Sequence, residues 1–317
     1  MHQISKTMKN FYDAESLCRL QFSEMGDCFH LWTPENFTII FTCDEDFKAG
    51  MGIIGIAAKL FPDVTIITFE IMSNHLHITA AGEMPGILAM FDAIRKMLMK
   101  YVQTRGRHID WSEFNAGTRK LQTLEDVRNV IVYNNKNGFV VNPSHTPFTY
   151  PWGANRYFFN PDAKALALSR ASKMTYRQRR SLSHSHASDE SPELLMFEGY
   201  ALPLSFCDIA SGEKMFRNAS HYFGKLSRSI ESSREIAKEI GESVFYNDDD
   251  LFAAVCEIVA KMYPGQGLGK TSSPTLLPAQ AKIELAKTMH YDYNATRKQI
   301  MRMLKIEASV LDSLGLR

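Results

Sequence analysis

The sequence predicts an α+β protein in two domains, a sheet-bearing domain over residues 1–160 and, over 161–317, a linker followed by an all-helical domain. Three observations carry this expectation. In the first half, apolar residues alternate between strand-like runs and helical spacing. In the second half only helical spacing remains. Between them lies residues 169–192 (SRASKMTYRQRRSLSHSHASDESP), rich in Ser, Arg and His and the best hinge in the chain.

Taken in order, residues 28–32 (CFHLW) are strand formers stopped at Thr33-Pro34. Residues 44–60 carry Phe47, Met51, Ile54 and Ala58 at helical spacing, and Pro62-Asp63 ends that helix. The β-branched run 64–71 (VTIITFEI) is a strand, Ser73-Asn74 a turn, and 75–80 (HLHITA) a further strand. Pro85 suits a helix first turn, and Ile87, Phe91, Ile94, Leu98 and Tyr101 form one stripe through residue 103. Thr123 opens a capped helix through Val127, Val130 and Ile131, with Gly138 as its stop and a strand expected near 139–142. This order suits a split β-α-β, ferredoxin-like (RRM-like) antiparallel sheet with helices on one face. Residues 147–161 (PFTYPWGANRYFFNP) are too aromatic for a solvated linker and are expected to be an ordered arm. Helices are expected at 210–216, 219–240, 249–263, 279–289, 296–304 and 308–314, with a loop over 265–278.

Composition sets bounds on function. With 45% hydrophobic and 22% charged residues, the chain is globular rather than disordered for most of its length. Lys and Arg number 36 against 35 Asp and Glu, a net charge of +1, so a nucleic-acid partner has to be gripped by local patches. Five scattered cysteines without a CxxC argue for a reducing compartment and against a Cys-zinc scaffold. The first residues lack the apolar core of a signal peptide. The most apolar stretches carry Lys59 and Glu70 and fall short of a bilayer span, so a cytoplasmic protein with no membrane partner is expected.

The sharpest local signal is His75-Leu-His77. Residues i and i+2 of a strand share a face, and two imidazoles on one face can grip a divalent metal; equally, they can be half-buried strand histidines. The second signal is Tyr133 and Asn137, four apart near a helix end and hence on one face. Tyrosine can act as a covalent nucleophile and an amide oxygen can complete a metal shell; equally, Tyr133 can be core packing.

Together these residues resemble a known family. A strand and helix, then MSNHLHI, a long helix, YNNKNG and TPFTYPWGANRYF are similar to the single-tyrosine HUH transposases of the REP-associated type, over roughly residues 25–160. The chain departs from that family in having Asn137-Gly138 where Asn-Pro is common, and Phe29-His30-Leu31-Trp32 in place of a His-Val-Thr strand. The resemblance implies a metal-dependent nuclease and strand-transferase acting on single-stranded or hairpin DNA, usually as a homodimer. Tyr133 would be the nucleophile, and His75, His77 and Asn137 would hold a divalent metal, Mg or Mn. The rival expectation is a sequence-specific DNA-binding regulator derived from such an enzyme and lacking its activity; a metal hydrolase acting on a small substrate through His75 and His77 is a weaker one.

Two basic stretches are candidate phosphate contacts or solvated faces. One is the helix bearing Arg95, Lys96 and Lys100; the other is the window holding Arg177, Arg179 and Arg180. Tyr150, Trp152, Tyr157, Phe158 and Phe159 are either base-stacking platforms or packing. The C-terminal TRKQIMRMLKIEASVLDSL has a helix-turn-helix skeleton, with Lys305 where the turn usually has glycine.

Overall fold

The computed structural model describes residues 13–141, 148–184, 193–228, 248–262 and 274–316. It divides into two compact units, 1–223 and 224–317.

The first unit is α+β. In chain order it opens with α1 (Ala14–Glu24), β1 (Cys28–Trp32), α2 (Asp44–Leu60), β2 (Thr65–Ile71), β3 (Leu76–Ala81), α3 (Met84–Thr104), β4 (Gly117–Leu121) and α4 (Leu124–Val141). The four strands form one antiparallel sheet in the order β2-β3-β1-β4. Helix starts follow local chemistry. Asp44, Glu45 and Asp46 crowd the first turn of α2, where backbone N–H groups favour negative charge. Pro85 sits in the first turn of α3. At α4, Thr123 and Asp126 cap one another, with the Asp126 N–H donating to Thr123 Oγ1 at 3.1 Å and the Thr123 N–H to the Asp126 carboxylate at 2.9 Å.

Register decides what each face carries. Phe29, Leu31, Phe69, Ile71, Leu76 and Ile78 point to one side, a nearly dry apolar face. Gly50 of α2 packs on Ile71 there, and α3 runs along α2. The opposite side carries His30, Trp32, Glu70, His77, Thr79 and Arg119. Helix α4 covers that polar side, its Asn134 donating to Thr79 and its Asn135 accepting from Thr68.

The rest of the unit comprises α5 (Pro161–Ser169), β5 (Ser172–Lys173), α6 (Tyr176–Ser183), β6 (Leu195–Phe197), β7 (Tyr200–Ala201), α7 (Ile209–Lys214) and α8 (Ala219–Arg228), the last running across the boundary between units. Strands β5-β6-β7 make a small second sheet. Edge strand β2 is covered by this region: Ile71 N–H donates to Trp152 O at 2.8 Å, Ala154 N–H to Phe69 O at 3.0 Å, and Asp208 N–H to Ile66 O at 2.8 Å. Covering an edge in this way removes a template for aggregation.

The second unit contains α9 (Asp248–Met262), α10 (Ala279–Tyr291), α11 (Arg297–Leu304) and α12 (Ala308–Ser313). Its own core gathers Leu251, Val255, Leu285, Met289, Ile300 and Leu311. Thr296 and Gln299 cap α11 reciprocally, and Lys305 turns the chain with φ 52°, the left-handed conformation glycine usually takes. Arg297 ties the two last helices together through Asp312 and the carbonyl of Ala308.

Several expectations are corrected. The helix expected to stop at Gly138 continues to Val141, so 139–141 are helical rather than a strand; Asn142 lies outside the described residues. The fourth strand is instead Gly117–Leu121, on an edge where Arg119 and Lys120 hide any alternation. Helices cover both faces of the sheet, not one. The expected hinge carries α6 and β5, and residues 161–223 belong to the first unit, so the boundary lies at 223/224 and not 160/161. The reason is burial. Leu182 packs on Gly52, Met174 and Leu194 are in the core, and Phe158 lies against Gly212. The loop over 265–278 falls mostly outside the described residues, as does the expected helix beyond Arg228. Among the described residues no helix is long and apolar enough to cross a membrane.

Candidate functional site

The polar face of the sheet and helix α4 together build an aromatic and imidazole cluster. His77 lies on β3, paired through its backbone with Trp32 of β1 and Glu70 of β2. His75 precedes the strand. Its ring stands perpendicular to that of His77, at 86°, with centroids 5.2 Å apart. Tyr133, on α4, meets His77 edge-on, with centroids 5.4 Å apart. Residues distant in sequence therefore converge: His75, His77 and Tyr133 form one contiguous group. Asn137 is one helical turn beyond Tyr133, half-buried, on the same face of α4.

A further histidine, not selected from the sequence, completes the group. His30 of β1 is fully buried, its Nε2 lies 3.2 Å from His77 Nδ1, and its ring meets Tyr133 edge-on at 6.0 Å. No spacing motif marks it, because its neighbourhood to His77 comes from cross-strand register: His30 pairs with Thr79, two residues along β3. Trp32 tilts over His30 at 5.2 Å and lies so close across Gly117 that a Cβ there would come within 2.4 Å of the indole. Glu70, also fully buried, is the cross-strand partner of His77 and was likewise not selected.

Both proposed ligand imidazoles are engaged at Nδ1. His75 Nδ1 is 2.8 Å from Asn74 Oδ1, and Asn74 is itself anchored to the carbonyls of Glu35 and Phe37. His77 Nδ1 faces His30. A polar partner at one ring nitrogen is the usual way of aiming the other at a metal. Two imidazoles and an amide oxygen are a donor set of the kind that binds a divalent ion with remaining ligands from substrate oxygens or water. Among the described residues no group of three or more His, Cys, Asp or Glu is arranged to hold a metal.

Three other tyrosines, Tyr101, Tyr150 and Tyr157, have hydroxyls raised in pKa. Burial, together with the Asp46 carboxylate that its hydroxyl meets at 3.0 Å, pushes Tyr101 up to about 12. Tyr150 donates to the carbonyl of Ile71, and burial holds it far above the ordinary phenol value. Tyr157 is raised in the same way, by burial first. The aromatic arm is packing: Tyr150, Trp152, Tyr157 and Phe158 are buried, with Trp152 stacked on Phe47 at 5.1 Å.

The basic residues fall elsewhere. Asp92 engages Arg95 at 3.1 Å and Lys96 at 2.6 Å. Lys100 donates to the carbonyl of His184, which joins α3 to the end of α6. Arg179 donates to Met174 O at 2.9 Å and Arg180 to the Tyr176 hydroxyl at 3.0 Å, while Arg177 is exposed. Helix α6 packs on both α2 and α3. The two predicted basic stretches therefore meet in one layer, on the opposite side of the sheet from Tyr133.

Comparison with known proteins yields no relative: no family model matches the chain, and no curated protein or solved structure matches it.

Proposed function

We propose that the chain is a metal-dependent single-tyrosine nuclease and strand-transferase of the HUH type, acting on single-stranded or hairpin DNA. One observation carries this reading: the Tyr133 ring meets His77, whose ring in turn meets His75, so three residues that chemistry would require near one phosphate form a chain of contacts. The strand order β2-β3-β1-β4 supports it, being the order of a split β-α-β pair in a ferredoxin-like sheet, with the tyrosine helix laid on the histidine face.

In this reading the Tyr133 oxygen attacks phosphorus as its proton leaves. A bond forms between that oxygen and phosphorus, the bond to the 3′ oxygen breaks, and the 3′ oxygen takes up a proton. The products are a 5′-phosphotyrosine and a free 3′-OH. The retained phosphoester lets a second strand's 3′-OH reverse the step and be joined. His75, His77 and Asn137 would hold a divalent cation, which would supply Lewis-acid stabilisation of charge on the phosphate oxygens. The helix-turn-helix skeleton of the second unit would read the site, and assembly as a homodimer in the cytoplasm belongs to the same proposal.

A second reading is favoured by one observation. Tyr133 is only 3% exposed and His77 0%, so a phosphodiester does not reach them without movement of the covering residues. A DNA-binding regulator that keeps the fold without the activity needs no such access. Incubating the full chain with hairpin or single-stranded DNA, with and without Mg²⁺ or Mn²⁺, separates the two. A denaturation-resistant adduct that maps to Tyr133 supports the enzyme. Binding without any adduct supports the regulator.

A further inference from the structure

We propose that His30 is a positioning residue: it accepts the Nδ1–H of His77 and thereby holds His77 in the tautomer whose Nε2 carries the lone pair. Taking His77 as the donor rests on the reading of its Nε2 as a metal ligand; the His30–His77 contact itself does not.

Geometry makes the choice binary. The contact joins His30 Nε2 to His77 Nδ1 at 3.2 Å, and only one of the two nitrogens can carry the shared proton. If His30 were the donor, a neutral His77 would be protonated at Nε2 and could bind no metal there. If His77 donates, its Nε2 is a ligand. The two nitrogens of an imidazole face opposite ways, so His30 stands behind His77 as seen from anything bound at Nε2. In this reading it is therefore not itself a ligand.

The surroundings fix the pair. Both rings are 0% exposed, so water does not compete for the bond. The rings lie nearly parallel, at 23°, with centroids 5.3 Å apart. Trp32 packs against His30 from its own strand, and Tyr133 closes the other side, edge-on to both imidazoles. His30 thus touches both the proposed ligand and the proposed nucleophile, and its loss would loosen the relation between them.

Long-range ¹H–¹⁵N NMR of the metal-free full chain reads the tautomers directly. The expected result is protonation of His77 at Nδ1 in the wild type, lost in His30→Phe and restored in His30→Gln, whose side-chain carbonyl can accept the same proton. A wild-type His77 protonated at Nε2, or an unchanged tautomer in His30→Phe, overturns the proposal. Calorimetric titration with MnCl₂ is the second arm. Affinity should fall about 10- to 100-fold in His30→Phe and recover in part in His30→Gln. Equal affinity in wild type and His30→Phe overturns the positioning role. If the wild type takes up no Mn²⁺, the metal reading of the site falls, and the NMR arm still decides what His30 does.

Discussion

The Asn134 side-chain amide donates to the Thr79 hydroxyl at 2.9 Å, both groups fully buried, and this bond locks helix α4 to strand β3 beside Tyr133 and His77. Its neighbour Asn135 bridges Thr68 and the Tyr222 hydroxyl at 2.9 Å. Two consecutive asparagines therefore set the register of the tyrosine helix over the sheet. Thr79→Val keeps the volume but strands a buried amide, which costs about 1–3 kcal/mol. Urea denaturation should show that loss, and Mn²⁺-dependent adduct formation should fall with it. Wild-type stability in Thr79→Val would mean that the bond does not hold the helix.

Tyr133→Phe removes one hydroxyl and leaves the ring contacts to His30 and His77 in place. The covalent adduct should vanish altogether, since phenylalanine has no atom that can attack. Mass spectrometry of wild-type adduct provides the check. A phosphotyrosyl peptide carrying Tyr101, Tyr150 or Tyr157 instead would refute the assignment.

Asp46 gives the first unit an acid-sensitive tie. Burial pushes its carboxyl up, but the N–H and hydroxyl of Thr42, the Tyr101 hydroxyl and the Arg107 guanidinium together outweigh that and hold it below the ordinary 3.8. The folded state thus favours the ionised form. Its stabilisation is complete above the unfolded value and is lost as pH falls through the lower, folded one. Asp46→Asn should melt below the wild type at neutral pH, with the gap narrowing as pH drops under 3.8. A gap constant with pH in thermal melts would contradict this.

Cutting the chain tests the domain boundary. A chain ending at Arg228 retains Tyr222 on Asn135, Phe216, and the strand cover at Cys207 and Asp208. It should melt cooperatively and keep the Tyr133 cluster. A chain ending at residue 160 loses Leu182 from Gly52 and the cover over Ile66, and should aggregate or melt without a transition. On the functional proposal, the Arg228-terminated chain also loses most DNA affinity, together with part of the salt dependence. Undiminished affinity would place DNA reading in the first unit.

The sequence by itself determined the elements whose cause is local. Strands 28–32 and 65–71 show in their β-branched and aromatic runs, α2 and α3 in their 3.6-residue stripes, and α4 in its Thr123–Asp126 cap. It also singled out His75, His77 and Tyr133, because strand and helix periodicities place such residues on a face. Some local signals are masked: Thr175-x-x-Gln178 is a capping box inside the Ser- and Arg-rich stretch whose composition predicts a hinge. What only the tertiary structure decided depends on pairing between distant segments. Strand β4 exists through its ladder with β1, not through its own GTRKL composition. His30 reaches His77 only because β1 and β3 pair in one register, and a slip of one residue would send it to the opposite face. The basic helices α3 and α6 fall across the sheet from Tyr133 because connections and burial, not charge, choose the face on which a helix packs.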